Sequence, residues 1–166
     1  RRADLAAAAG TSSSLSLDLS AQQARFDLDG QWRFTPPTHV LAALHEALLL
    51  HEAEGGVAGR RARYEANLRV LVEGMRALGF RTLLPDDLQS PIIVTFLEPG
   101  HAAWSFPAFY DLLLGQGFAI YPGKLTVRPS FRVGVIGQVF PDDLRRFLDA
   151  VRHALAALGL PSGAPA

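Results

Sequence analysis

The chain has 166 residues, 49% of them hydrophobic, and its 16 basic and 16 acidic side chains cancel. It can therefore bury a core of its own, and it lacks the net charge that would hold nucleic acid or an anionic membrane surface. It contains no cysteine, which excludes a disulfide framework and thiolate metal sites and fits a reducing cytoplasm.

No apolar run approaches the ~20 residues of a membrane-spanning helix, and the alanine-rich start is too weakly apolar for a secretory leader. The expected partner is a small molecule or another protein. RRADLAAAAG reads as the last turns of a helix closed by Gly10, a helix whose beginning lies elsewhere. There is no initiator methionine, Met75 being the sole Met, so the chain is expected to be a piece of a longer protein.

In TSSSLSLDLS, Leu15, Leu17 and Leu19 alternate with polar residues, the pattern of a half-exposed strand or extended segment. QQARFDLDGQWRF follows, with Asp29-Gly30 as a turn signal. In FTPPTH, proline holds Thr35 and Pro36 extended, and a helix is expected to open at Pro37 or Thr38. Val40, Leu41, Leu44 and Leu48 recur at helical spacing up to Gly55-Gly56. A second, longer helix carries Tyr64, Leu68, Leu71, Val72, Met75 and Leu78 on one stripe and stops at Gly79.

FRTLL and PIIVTFL read as strands, and Ser105 as the N-cap of a helix from Phe106 to about Gly115. FAIYPG and FRVGVIG are two more short strands. Pro141 opens a last helix with Leu144, Phe147, Leu148, Val151, Leu155 and Leu158 in register, and PSGAPA is expected to fray. This order predicts an α+β domain: a small, largely antiparallel sheet with helices on one face, preceded by an extended N-terminal arm.

Arg132 carries the sharpest chemical signal. In SFRVGVIG the apolar Phe131, Val133 and Val135 alternate with Arg132 and Gly134, which puts a guanidinium and a glycine together on the opposite face. An exposed arginine on a solvated sheet face is ordinary. A strand-interior glycine, however, costs stability unless something must approach closely. A planar guanidinium is also suited to bidentate binding of carboxylate or phosphonate.

Thr35 offers a hydroxyl from stiff backbone, although TPP is also simply a helix-entry turn. Lys124, the sole lysine, sits in a Pro-Gly turn and reads as a surface or anion-contacting side chain rather than a desolvated nucleophile. His39, His45 and His51 are six apart on one helix, a spacing that does not converge on a metal. Trp32 and Trp104 read as core or interface aromatics. No phosphate-cradling glycine loop and no nucleophile elbow is present.

The strings GQWRFTPPTHVLAALHEAL, GFRTLLPDDLQSPIIVTF, GFAIYPGKLTV and SFRVGVIGQ together resemble the C-terminal part of the 2-aminoethylphosphonate–pyruvate transaminases. These are class V aminotransferases of the fold-type I pyridoxal-phosphate group. The resemblance implies residues 1–36 as the end of a large domain and interface arm, 37–160 as a C-terminal small domain and 161–166 as a flexible tail.

It further implies Arg132 as the group that binds the substrate's acidic end, and Thr35 as a contact to the cofactor phosphate of a neighbouring subunit in a homodimer. The implied cofactor is pyridoxal 5'-phosphate, bound covalently by a lysine outside this chain. Lys124 lies in a different motif from that lysine, no catalytic residue is expected here, and the chain alone is expected to be inactive. Two alternatives stay open on the residues alone: another class V aminotransferase of the alanine–glyoxylate type, and a non-catalytic α+β interaction module.

Overall fold

A computed structural model describes residues 1–123 and 128–165. Its contacts divide the chain into two units, Arg1–Leu50 and His51–Ala166. No helix among the described residues is long and apolar enough to cross a membrane.

The first unit is helical. Helix α1 spans Arg2–Ala7 and α2 spans Leu19–Asp29, and α3, Thr38–Ala53, runs to the unit's end and beyond it. The expected extended segment around Leu15, Leu17 and Leu19 is corrected here. The Asp18 carboxylate accepts the Ala21 N–H at 3.0 Å and starts a helix at Leu19, a capping contact that outweighs the alternating pattern. Upstream, the Ser12 and Ser14 hydroxyls bond to nearby backbone, which competes with any strand ladder.

Asp29-Gly30 is likewise a helix end: Gly30 takes φ 70 and donates to the Phe26 carbonyl, a left-handed cap that glycine adopts without steric cost. None of the three helices contributes a fully buried residue up to Leu50. The polyproline entry behaves as expected, with Thr38 as the first residue of α3.

The second unit is the α+β layer. It contains α4 (Gly56–Ala77), β1 (Ile93–Leu97), α5 (Phe106–Leu114), β2 (Tyr121–Pro122), β3 (Ser130–Gly134) and α6 (Pro141–Ala157). The strands form an antiparallel sheet in the order β1-β3-β2. FRTLL is not a full strand. It makes one bridge, Thr82 to Phe96, and Leu83 N–H and Leu97 N–H donate to the Thr95 and Arg81 carbonyls, respectively. Pro85 ends it, having no N–H to extend a ladder.

Period-2 alternation turns Val94, Phe96, Phe131 and Val133 to one side, where they meet Phe80, Phe109, Leu113 and Phe147. The phenylalanines pack edge-on and tilted, Phe80 lying 5.6 Å from Phe131 and 6.4 Å from Phe96 between ring centres. Helix α6 buries Leu144, Phe147, Leu148, Val151 and Leu155, and α4 buries Leu71, Val72 and Met75. Those are the stripes that 3.6-residue periodicity marks out. Ser105 caps α5 through the Ala108 N–H, as expected.

The described residues after α6 do not fray. Gly163 N–H donates to the Leu78 carbonyl at 2.8 Å, and Gly100 N–H donates to the Ala164 carbonyl at 2.9 Å. Gly163 is buried, with the Phe80 ring pressed where a side chain would stand.

Candidate functional site

Arg132 is the middle residue of β3, the middle strand. Its cross-strand partners are Thr95 on β1 and Tyr121 on β2. All three side chains share the face opposite the phenylalanine core, since directly paired residues in antiparallel strands point the same way. Thr95 and Arg132 are half-buried and Tyr121 is exposed.

The Arg132 guanidinium donates to the Pro122 carbonyl through Nε at 3.3 Å and Nη2 at 3.2 Å. Among the described residues no carboxylate pairs with it, whereas Arg60 and Arg63 meet Glu54, and Arg76 meets Asp86. Its positive charge is thus held in place without being neutralised.

Next to Pro122 the two strands close tightly. Gly123 N–H donates to the Ser130 carbonyl at 2.7 Å. A Cβ on Gly123 would collide with that same oxygen, so only glycine lets the two strands close here. Further along the Arg132 face stands Gly134, where a Cβ would meet nothing within 4 Å. Among the described residues no packing contact demands the glycine. It leaves open space on the sheet face that carries Arg132.

The other residues singled out from the sequence fall elsewhere. Thr35 is exposed in the first unit, and its backbone leads into α3 through Thr38 N–H donating to the Pro36 carbonyl at 2.9 Å. Lys124 lies outside the described residues. Trp104 is a core aromatic, 4.9 Å from Phe109, with its indole N–H on the Glu98 carboxylate at 2.6 Å. Trp32 stacks edge-on against Phe26. Among the described residues no three His, Cys, Asp or Glu side chains assemble as a metal-holding group.

Sequence reading did not single out Thr95 or Tyr121. Both lie in strings that carry the resemblance, but only the strand register pairs them with Arg132.

A small antiparallel sheet with helices packed on its apolar face has counterparts among solved aminotransferases. Ureidoglycine–glyoxylate aminotransferase from Bacillus subtilis superposes with a TM-score of 0.71 at 22% identity, covering 87% of this chain and 38% of that one. Alanine–glyoxylate aminotransferase from Nostoc sp. gives 0.72 at 21% identity, covering 83% of this chain and 37% of that one. At such identities the likeness is one of fold.

Sequence similarity narrows it. A 2-aminoethylphosphonate–pyruvate transaminase from Rhizobium meliloti (strain 1021) is 53% identical over 165 residues, which is 99% of this chain and 43% of the relative. The chain corresponds to the C-terminal part of the 2-aminoethylphosphonate–pyruvate transaminases and spans about 43% of the length of the curated relatives it matches. No family model matches it.

Proposed function

We propose that the whole protein to which this chain contributes is a pyridoxal-phosphate-dependent transaminase. It moves the amino group of 2-aminoethylphosphonate to pyruvate, forming phosphonoacetaldehyde and L-alanine. The observation that carries this reading is Arg132, a guanidinium on the uncovered sheet face with no carboxylate partner among the described residues and open space over Gly134. Each substrate ends in an anion, phosphonate or carboxylate, and a planar fork of N–H donors binds either.

In this reading Arg132 holds the acidic end of the substrate, and the Pro122 carbonyl fixes the plane of the fork. Thr35 gives its hydroxyl to the cofactor phosphate across a homodimer interface. Residues 1–36 form the end of the large domain and the interface arm, residues 37–160 the small domain, and the enzyme works in the cytoplasm.

The residues present fit the anionic end of such a site. Covalent attachment belongs to a lysine outside this chain, since Lys124, the sole lysine here, stands in a different motif. When bound, pyridoxal phosphate supplies the electron sink that amino transfer needs, while the protein contributes orientation and charge.

The test is an assay of the whole protein with 2-aminoethylphosphonate and pyruvate. Alanine and phosphonoacetaldehyde are expected in equal amounts. Turnover of alanine with glyoxylate, and none of the phosphonate, would replace this reading with the alanine–glyoxylate type. No amino transfer with any donor would favour a non-catalytic module.

A further inference from the structure

The register of the sheet sets Arg132 between two hydroxyls, with Thr95 its Cα partner on β1 and Tyr121 its partner on β2. Such pairs carry their Cβ atoms about 4.5–5.5 Å apart on one face. The two flanks are not equivalent. Arg132 leans over β2, because both of its bonded nitrogens donate to the carbonyl of Pro122, the residue next to Tyr121. The charged group therefore lies on the tyrosine's side of β3, and the tyrosine stands there 58% exposed.

The two substrates of the proposed reaction differ in what this arrangement must satisfy. A carboxylate presents two oxygens, and a guanidinium fork can take both. A phosphonate presents three oxygens and more negative charge, so one oxygen is left over and needs a donor from another direction. A phenolic O–H is a donor, and among the described residues Tyr121 is the cross-strand partner of Arg132 on the β2 side.

We propose that the Tyr121 hydroxyl donates to the third phosphonate oxygen of the amino donor, so that it distinguishes phosphonate from carboxylate while Arg132 binds both. This rests on the reading that Arg132 takes the acidic end of the substrate.

The experiment compares Tyr121→Phe, Thr95→Val and Arg132→Ala in the whole enzyme, measuring KM for 2-aminoethylphosphonate and for pyruvate separately. Tyr121→Phe is expected to raise the KM for the phosphonate by about 10-fold or more, the loss of one hydrogen bond to a charged group. The KM for pyruvate and the thermal midpoint should stay where they were. A purely structural tyrosine would move both KM values together or lower the midpoint, and either result overturns the proposal. So does an unchanged phosphonate KM, or a larger selective effect from Thr95→Val. If Arg132→Ala alters neither substrate, the parent reading has failed. If it alters both while Tyr121→Phe alters neither, only this inference has.

Discussion

The Arg132 guanidinium is tied to the Pro122 carbonyl through both Nε and Nη2, so a cation that carries no carboxylate partner among the described residues is nonetheless oriented by the neighbouring strand. Beside it the two strands close tightly, Gly123 N–H donating to the Ser130 carbonyl. Orientation without neutralisation suits the anion-binding role proposed for Arg132. A carboxylate partner would compete with the substrate, and a free side chain would lose rotamer entropy on every binding event.

Under the proposed function, Arg132→Lys in the whole protein is therefore expected to behave much like Arg132→Ala. An ammonium keeps the charge but not the planar fork. Both should lower kcat/KM for the anionic substrates by about 10²-fold or more. Steady-state kinetics showing wild-type values for either variant would remove Arg132 from the site.

Gly134 separates the two reasons for a glycine in a strand. An added methyl would meet nothing within 4 Å, and Gly134 is absent from the glycines of positive φ. Gly134→Ala should leave the fold unharmed, or stabilise it by about 0.4–1 kcal/mol by restricting the unfolded chain. If the open space receives substrate, the same variant should raise KM in the whole enzyme. A melting curve and a KM measured on one preparation decide the matter, and an unchanged KM would mean the space is unused.

Glu54 makes acid stability testable. Its carboxylate accepts from Arg63 at 2.6 Å and from Arg60 at 2.8 Å. Those bonds, Arg63 first, hold its pKa at about 2 against an ordinary 4.5. A depressed folded-state pKa favours the folded protein at pH above the ordinary value, and that contribution is lost as pH falls from about 4.5 toward about 2. Urea titrations across that window should show a shallower pH dependence for Glu54→Gln than for the wild type. Parallel curves would mean that the pair contributes nothing.

Gly163 tests the docked C-terminal stretch. A Cβ there would run into the Phe80 ring, and that ring is the hub on which Phe96, Phe109 and Phe131 converge. Gly163→Ala should cost about 1–3 kcal/mol, the usual penalty of overpacking. A loose tail would show no loss in a denaturation experiment.

Where local chemistry and burial agree, the elements were legible from the chain itself. The stripes of α4 and α6, the Ser105 cap of α5 and the Pro141 start of α6 follow from periodicity and caps alone, because each depends on residues within a turn or two. The alternation around Arg132 announced which side chains would go inward, and Phe131, Val133 and Val135 are indeed buried. The departure at Leu15–Leu19 has the same physical root. Leucines spaced by two imitate a strand when no sheet is present to pair with: Leu15 and Leu17 lie in a bend, and the Asp18 cap starts a helix at Leu19.

The residue types and their local periods thus determined by themselves an α+β chain with an arginine and a glycine on one strand face. Only the tertiary structure decided what stands next to that arginine. Strand register is a long-range choice, set by which carbonyl meets which N–H across β1, β3 and β2. No spacing along the chain encodes that Thr95 and Tyr121 end up on either side of Arg132, nor that Gly163 closes over Phe80. Those neighbours arise from closing loops whose ends are far apart in sequence, where packing of the shared core selects the pairing.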